Sequence, residues 1–242
     1  MADRILNVCL VGAGRAGMIH AQNFAHRIEN AKISAVVDVA AEAARASAAA
    51  LGCDKAYTDY HQALEEAAID AVIVASPTDI HKSIVLDFAA AGKHIFCEKP
   101  MGMNTADCDE MVAACERNHV KLQIGFMRRH DESFCQAKTL LDSGAIGDLV
   151  LIRSNTRGPS KPKPWMYDIQ KSNGILAEVN SHDIDSIRWF ANAEVDHLYA
   201  IAGNYRNPEA REAYPDYYDN VVMNGMFQNG VQFSIDGAAY VQ

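Results

Sequence analysis

Residues 7–17 read NVCLVGAGRAG, an apolar run that meets three spaced glycines. A short run apolar on both faces belongs to a strand buried inside a sheet. The segment Gly12-Ala13-Gly14-Arg15-Ala16-Gly17 then opens an amphipathic stretch that continues to about residue 28. In a G-x-G-x-x-G placed between strand and helix, Gly12 permits the tight turn and Gly14 lets the backbone approach a pyrophosphate. Gly17 lets helix and strand pack closely. Ala13, Arg15 and Ala16 complete a cradle whose anion rests on free N–H groups at the helix N-terminus. The competing reading is a βα turn that holds no ligand.

The same rhythm runs through the first half. ISAVVD (33–38) precedes an Ala-rich helix, and DAVIVAS (70–76) leads through Pro77 into a helix closed by Gly92. HIFCEKP gives a further strand, 105–118 a helix, and KLQIGF (121–126) another strand. Apolar strands separated by helices predict a doubly wound parallel sheet covered on both sides, an α/β domain spanning residues 1–127. Asp38 ends the second strand, where a carboxylate can accept from both hydroxyls of an adenosine ribose and repel a 2′-phosphate. No arginine follows it before Arg45, so NAD is favoured over NADP.

Beyond residue 128 the pattern changes. LVLIRSNT alternates apolar and polar residues as a half-exposed antiparallel strand does. RGPSKPKPW (157–165) reads as a surface loop, and ILAEVNSHDIDSIRWF (175–190) returns to helical spacing. Strands at 195–201 and 220–227 follow, the second meeting VQFSIDGAAYV across Gln228-Asn229-Gly230, where Asn-Gly favours a type I′ hairpin. Residues 128–242 therefore predict an α+β domain on an open antiparallel sheet.

Composition narrows the functional classes. With 242 residues, 49% hydrophobic and 22% charged, the chain has the make-up of an ordinary globular protein. A net charge of −9 disfavours nucleic acid and anionic membranes as partners. Six scattered cysteines without a C-x-x-C pair read as reduced thiols. With no secretory leader and no apolar run near the ~20 residues of a membrane span, the expected location is cytoplasmic.

Chemistry gathers at two places. Glu98-Lys99-Pro100 follows a parallel strand at its carboxyl end, where open α/β sheets bind ligands. A lysine there can hydrogen-bond a substrate hydroxyl and favour its alkoxide, and Pro100 can fix the turn as a cis peptide. Oxidising a secondary alcohol also needs a base, and His182, with an ordinary imidazole pKa of about 6.5, suits that task. Glu178 lies four residues earlier, hence on the same face of a continuous helix, placed to orient the imidazole or contact substrate. No third ligand and no H-E-x-x-H accompanies the pair, so no metal is expected. Asp183 and Asp185 read as capping and ion-pair residues.

The opening VGAGRAG, the stretch ASPTDIHKSIVLDFAAAGKHIFCEKPM, GFMRRHDESF (125–134) and SHDIDSIRW (181–189) together resemble the family of glucose-fructose oxidoreductase and inositol dehydrogenase, Gfo/Idh/MocA. The resemblance implies a Rossmann domain followed by an open antiparallel sheet, with nicotinamide near Lys99. Ser76, Pro77, Thr78, His81 and Glu98 then lie with the cofactor. A family lysine of the E-K-P motif acts with a D-x-x-x-H pair; Lys99 and His182 match, while the aspartate position holds Glu178. Arg129 matches an arginine near the substrate, with an interdomain ion pair as its alternative. Read from the residues, the Trp165-Met166-Tyr167 cluster of the proline-rich loop offers Trp165 to line a sugar pocket, or else anchors the loop by its aromatics. The activity implied is hydride transfer between NAD and a secondary hydroxyl of a sugar, cyclitol or related polyol, in a homo-oligomer formed through the sheet. An NAD-using glycoside hydrolase or lyase and a non-catalytic NAD-binding regulator are the alternatives. Family members carry further strands after the Asn229-Gly230 hairpin, so the second domain is expected to be incomplete relative to them.

Overall fold

The computed structural model describes residues 4–158 and 161–240; within the proline-rich loop, residues 159 and 160 lie outside the described residues. The chain divides into two units, Met1–Gly125 and Phe126–Gln242, two residues earlier than the expected boundary.

In the first unit, strands β1 (Leu6–Val11), β2 (Ala31–Val37), β3 (Ala56–Tyr57), β4 (Ala71–Val74), β5 (His94–Cys97) and β6 (Leu122–Ile124) form one sheet in the order β3-β2-β1-β4-β5-β6. Every pairing is parallel. Helices α1 (Arg15–His26), α2 (Ala41–Ala50), α3 (Tyr60–Leu64), α4 (His81–Ala90) and α5 (Thr105–Arg117) make the connections. Successive strand residues point to opposite faces, and both faces are buried. Cys9 and Val11 of β1 join Val37, Val74, Ile84, Phe88 and Met111 in one core, while Val8 and Leu10 join Ile33, Val36 and Ile73 in the other. The apolar runs of the sequence thus have their physical explanation. Strand order reverses between β1 and β4, the place where such sheets open a ligand crevice beyond their carboxyl ends.

The second unit holds α6 (Glu132–Asp142), β7 (Leu151–Arg157), α7 (Ile169–Ser172), α8 (Gly174–Glu178), α9 (Ser181–Ala191), β8 (Val195–Gly203), α10 (Pro208–Ala213), β9 (Asn220–Phe227) and β10 (Gln232–Ala238). Its sheet runs β7-β10-β9-β8. Ile187 and Ala191 of α9 pack with Met223, Phe227, Phe233 and Ile235 on one face. The opposite face leaves Tyr199, Ile201, Val222 and Leu151 exposed.

Three local expectations are corrected. The sheet is mixed, because β7 pairs parallel with β10 while β8–β9 and β9–β10 are antiparallel. Alternation reports a half-exposed strand and carries no direction. The hairpin is not type I′: Gly230 has φ +85°, but Asn229 is not among the residues with positive φ. Gly230 N donates to the Phe227 carbonyl and Phe227 N to that of Val231, a turn closed by one left-handed glycine. Asn229 is held in place by donating Nδ2 to the Ala191 carbonyl. Finally, the helix expected over 175–190 is broken into α8 and α9, which separates Glu178 from His182. Val179 N and Asn180 N both donate to the Ile175 carbonyl, closing α8. Asn180, fully buried, donates its side-chain amide to Asp183 Oδ2 at 2.8 Å. A Cβ on Gly237 would stand 2.2 Å from Asn180 Oδ1, so only glycine on β10 leaves room for this junction.

Candidate active site

The carboxyl ends of the first sheet bring four predicted segments side by side. Gly12 N donates to the Val37 carbonyl, Ala75 N to that of Val11, Glu98 N to that of Val74 and Gly125 N to that of Cys97. Each strand therefore hands its exit loop to the next.

The glycine turn is shaped as its sequence requires. Gly12 has φ +97°, and a Cβ there would stand 2.5 Å from the Ala75 carbonyl oxygen. A Cβ on Gly17 would stand 2.0 Å from the Gly12 oxygen, whereas one on Gly14 would meet nothing within 4 Å. Gly12 and Gly17 are thus sealed by backbone, and open space lies over Gly14. Gly14 caps α1 without a side-chain hydrogen bond, and the first turn, Arg15-Ala16-Gly17, contains no acidic residue. These orphan N–H groups, at the positive end of the helix dipole, fit a pyrophosphate.

Asp38 stands immediately after β2. Its Oδ2 accepts from Ala13 N and its Oδ1 from Ala40 N, both at 2.9 Å. Each carboxylate oxygen keeps a lone pair for a ribose hydroxyl. Arg45 pairs with Glu42. Val39, next to Asp38, is almost fully exposed and brings no charge.

At the end of β5 the Lys99-Pro100 peptide is cis. Glu98 turns inward: Oε1 lies 2.6 Å from His20 Nε2 on α1, and Oε2 accepts from Lys99 N at 3.1 Å. A Cβ on Gly125 would come within 3.1 Å of that carboxyl. Burial pushes the Glu98 carboxyl up, but His20 and Lys99 outweigh it and hold it below the usual carboxylate range. His81 is buried with Nδ1 2.9 Å from the Pro100 oxygen and Nε2 2.9 Å from the Ser76 oxygen. Both nitrogens of the ring expected to lie with the cofactor face protein carbonyls. His20 carries no signal in the sequence, because its partner is 78 residues away.

In the second unit, Arg128 Nη1, Ser154 Oγ, Thr156 Oγ1 and Asn180 Nδ2 all donate to the Asp183 carboxylate, which is fully buried. Burial pushes this carboxyl up; the four donors outweigh it and leave it low. His182 is the neighbour of this anchored residue at the start of α9. Arg129, expected at the substrate, forms a two-pronged pair with Asp185, at 2.9 Å from Nε to Oδ2 and 2.9 Å from Nη2 to Oδ1, and lies 5.8 Å from the Trp189 ring centre. The pair lies within the second unit, so the ion pair given as the alternative for Arg129 is present but is not interdomain. Trp165 lies half-buried in a 3-10 turn, Pro164–Tyr167. The anchor of that loop is Tyr167, packed on Tyr214 and Tyr217. Among the described residues no group of three His, Cys, Asp or Glu side chains could hold a metal ion, and no helix is long and apolar enough to cross a membrane.

Residues 6–126 match the oxidoreductase family with an NAD-binding Rossmann fold, and residues 134–242 match the GFO/IDH/MocA C-terminal domain. The chain belongs to the Gfo/Idh/MocA family. It is 37% identical over 233 residues to the myo-inositol 2-dehydrogenase of Thermotoga maritima, covering 96% of this chain and 68% of that protein. It is 35% identical over 202 residues to the scyllo-inositol 2-dehydrogenase (NAD(+)) of Bacillus subtilis, covering 82% of this chain and 58% of that one. Among solved structures, scyllo-inositol dehydrogenase from Lactobacillus casei with bound NAD(H) and scyllo-inositol superposes with a TM-score of 0.85 at 31% identity, over 98% of this chain and 71% of that one. The Gfo/Idh/MocA chain described here thus spans about two thirds of the length of such relatives.

Proposed function

We propose that this chain is an NAD-dependent dehydrogenase acting on a secondary hydroxyl of a cyclitol, sugar or related polyol. The observation that carries the reading is the row of strand ends where the uncapped α1 cradle, Asp38 and Lys99 stand on one edge of one sheet. The cradle of residues 12–17 holds the pyrophosphate, and Asp38 accepts the ribose hydroxyls. NAD held by these residues would supply the hydride acceptor for the carbinol carbon. Lys99 donates a hydrogen bond to the reacting hydroxyl oxygen and favours its alkoxide. His182 takes the proton at an imidazole nitrogen, with Glu178 beside the junction that precedes α9. The inositol dehydrogenases among the relatives support a cyclitol substrate.

The test is a screen of myo-inositol, scyllo-inositol and aldoses with NAD and with NADP, followed by NADH absorbance and by cofactor titration. Steady NADH formation with a cyclitol and tighter binding of NAD than NADP are expected. Equal affinity for the two cofactors would remove the role given to Asp38.

A further inference from the structure

The Glu98-Lys99-Pro100 segment is gripped on both sides of its lysine by histidines from two different helices. From α1, His20 Nε2 meets Glu98 Oε1 at 2.6 Å, and its ring packs 4.7 Å from that of Phe96 on β5. From the first residue of α4, His81 meets the Pro100 carbonyl through Nδ1 and the Ser76 carbonyl through Nε2. Ionised carboxylates and carbonyls only accept, so each contact needs a proton on the histidine nitrogen. Glu98 is held in its ionised form, so His20 donates from Nε2. Burial holds His81 below the ordinary imidazole value and favours the neutral ring, which donates to one of the two carbonyls and only faces the other.

We propose that His20 and His81 are positioning residues for Lys99, forming a brace that fixes the short backbone segment from which the lysine projects. The proposal rests on the reading of Lys99 as catalytic. The grip falls on the residues immediately before and after Lys99, and Lys99 N itself donates to Glu98 Oε2. Gly125 backs the Glu98 carboxyl, leaving it little freedom. Through α1 the brace reaches the helix whose N-terminus forms the phosphate cradle, and through Ser76 it reaches the strand end on which Gly12 packs. The lysine is thereby held in register with the cradle on the same sheet edge. Misplacing a reacting group by about an ångström costs up to roughly 100-fold in rate.

The experiment compares His20→Ala, His81→Ala, His20→Gln and His81→Asn in the whole chain, the last keeping an amide donor near the Nδ1 position. Both alanine variants are expected to lower kcat roughly 10- to 100-fold with cyclitol and NAD, with the NAD Kd changing less than about threefold. The Gln and Asn variants are expected to recover part of the loss, and Lys99 amide exchange is expected to quicken in the alanine variants. In a Lys99→Ala background, adding His20→Ala is expected to cost no further activity, since the brace acts through the lysine. Unchanged kcat, additive losses in that background, or unchanged Lys99 amide exchange would each overturn the brace. Should Lys99→Ala turn over like the wild type, or no cyclitol be oxidised, the catalytic reading fails instead, and amide exchange at Lys99 still decides the brace.

Discussion

In the proposed reaction Lys99 and His182 divide the chemistry between an alkoxide-favouring donor and a base, so losing either would leave the other unable to complete the transfer. Lys99→Ala and His182→Ala are each expected to lower turnover by about 100-fold or more while NAD still binds. Single-turnover rates and a fluorescence titration check this, and an active His182→Ala variant would remove its assignment. Glu178→Gln keeps the size and removes the charge; a clear loss of turnover makes the carboxylate part of the reaction, and wild-type rates make it structural. The three glycines, Asp38 and the Lys99-Pro100 turn were legible because each is a backbone demand written in residue type: a left-handed φ, an open approach, a strand end. His20, His81 and Arg129 were not. Residue type and spacing announce an imidazole or guanidinium, but which way it turns is set by partners far along the chain, such as Glu98 for His20 and Asp185 for Arg129.

At the level of elements, a buried carboxylate ties α9 to β7. Ser154 and Thr156 on β7, Arg128 before α6, and Asn180 at the head of α9 all donate to Asp183. Asp183→Asn leaves the Arg128 guanidinium without its counter-charge and is expected to cost about 3 kcal/mol, with Tm lower by roughly 10 °C. The sign of the pH dependence follows from the lowered carboxyl. Its stabilisation is fully present above the unfolded aspartate value of about 3.9 and is lost as pH falls through the folded value. Acid unfolding of the wild type is therefore expected to be steeper than that of Asp183→Asn, as melts between neutral pH and about pH 3 will show. The same junction explains why one helix was expected where two exist. Ile175, Val179, Ile184 and Ile187 keep helical spacing across the break, and periodicity cannot register a backbone carbonyl claimed by two successive N–H groups.

Over the whole molecule, the parallel sheet was legible and its partner sheet only in part. Two-sided burial leaves a signature in composition, whereas strand direction in a half-exposed sheet depends on which distant strand arrives beside it. That half-exposed sheet presents Tyr199, Ile201 and Val222 to solvent on the face away from α9, with β8 at its edge. The homo-oligomer expected from the sequence, formed through this sheet, would bury these three side chains among the polar residues Asn224, Ser234 and Asp236 of the same face. Ile201→Asp is expected to shift the chain toward monomer in sedimentation velocity without changing the far-ultraviolet circular dichroism. A wild-type chain that sediments as a monomer at micromolar concentration would contradict this.

The parallel pairing of β7 with β10 also sets an order of events. In the first unit β1 pairs with β2 and β4, and the last strand of that sheet ends at Ile124, so its contacts can close while the second unit is still being made. Leu151 must instead wait for Gln232, its partner across most of the second unit. Loop closure over such a separation slows folding, and the Rossmann unit is therefore expected to be protease-resistant on nascent chains while β7 is still searching for its neighbour.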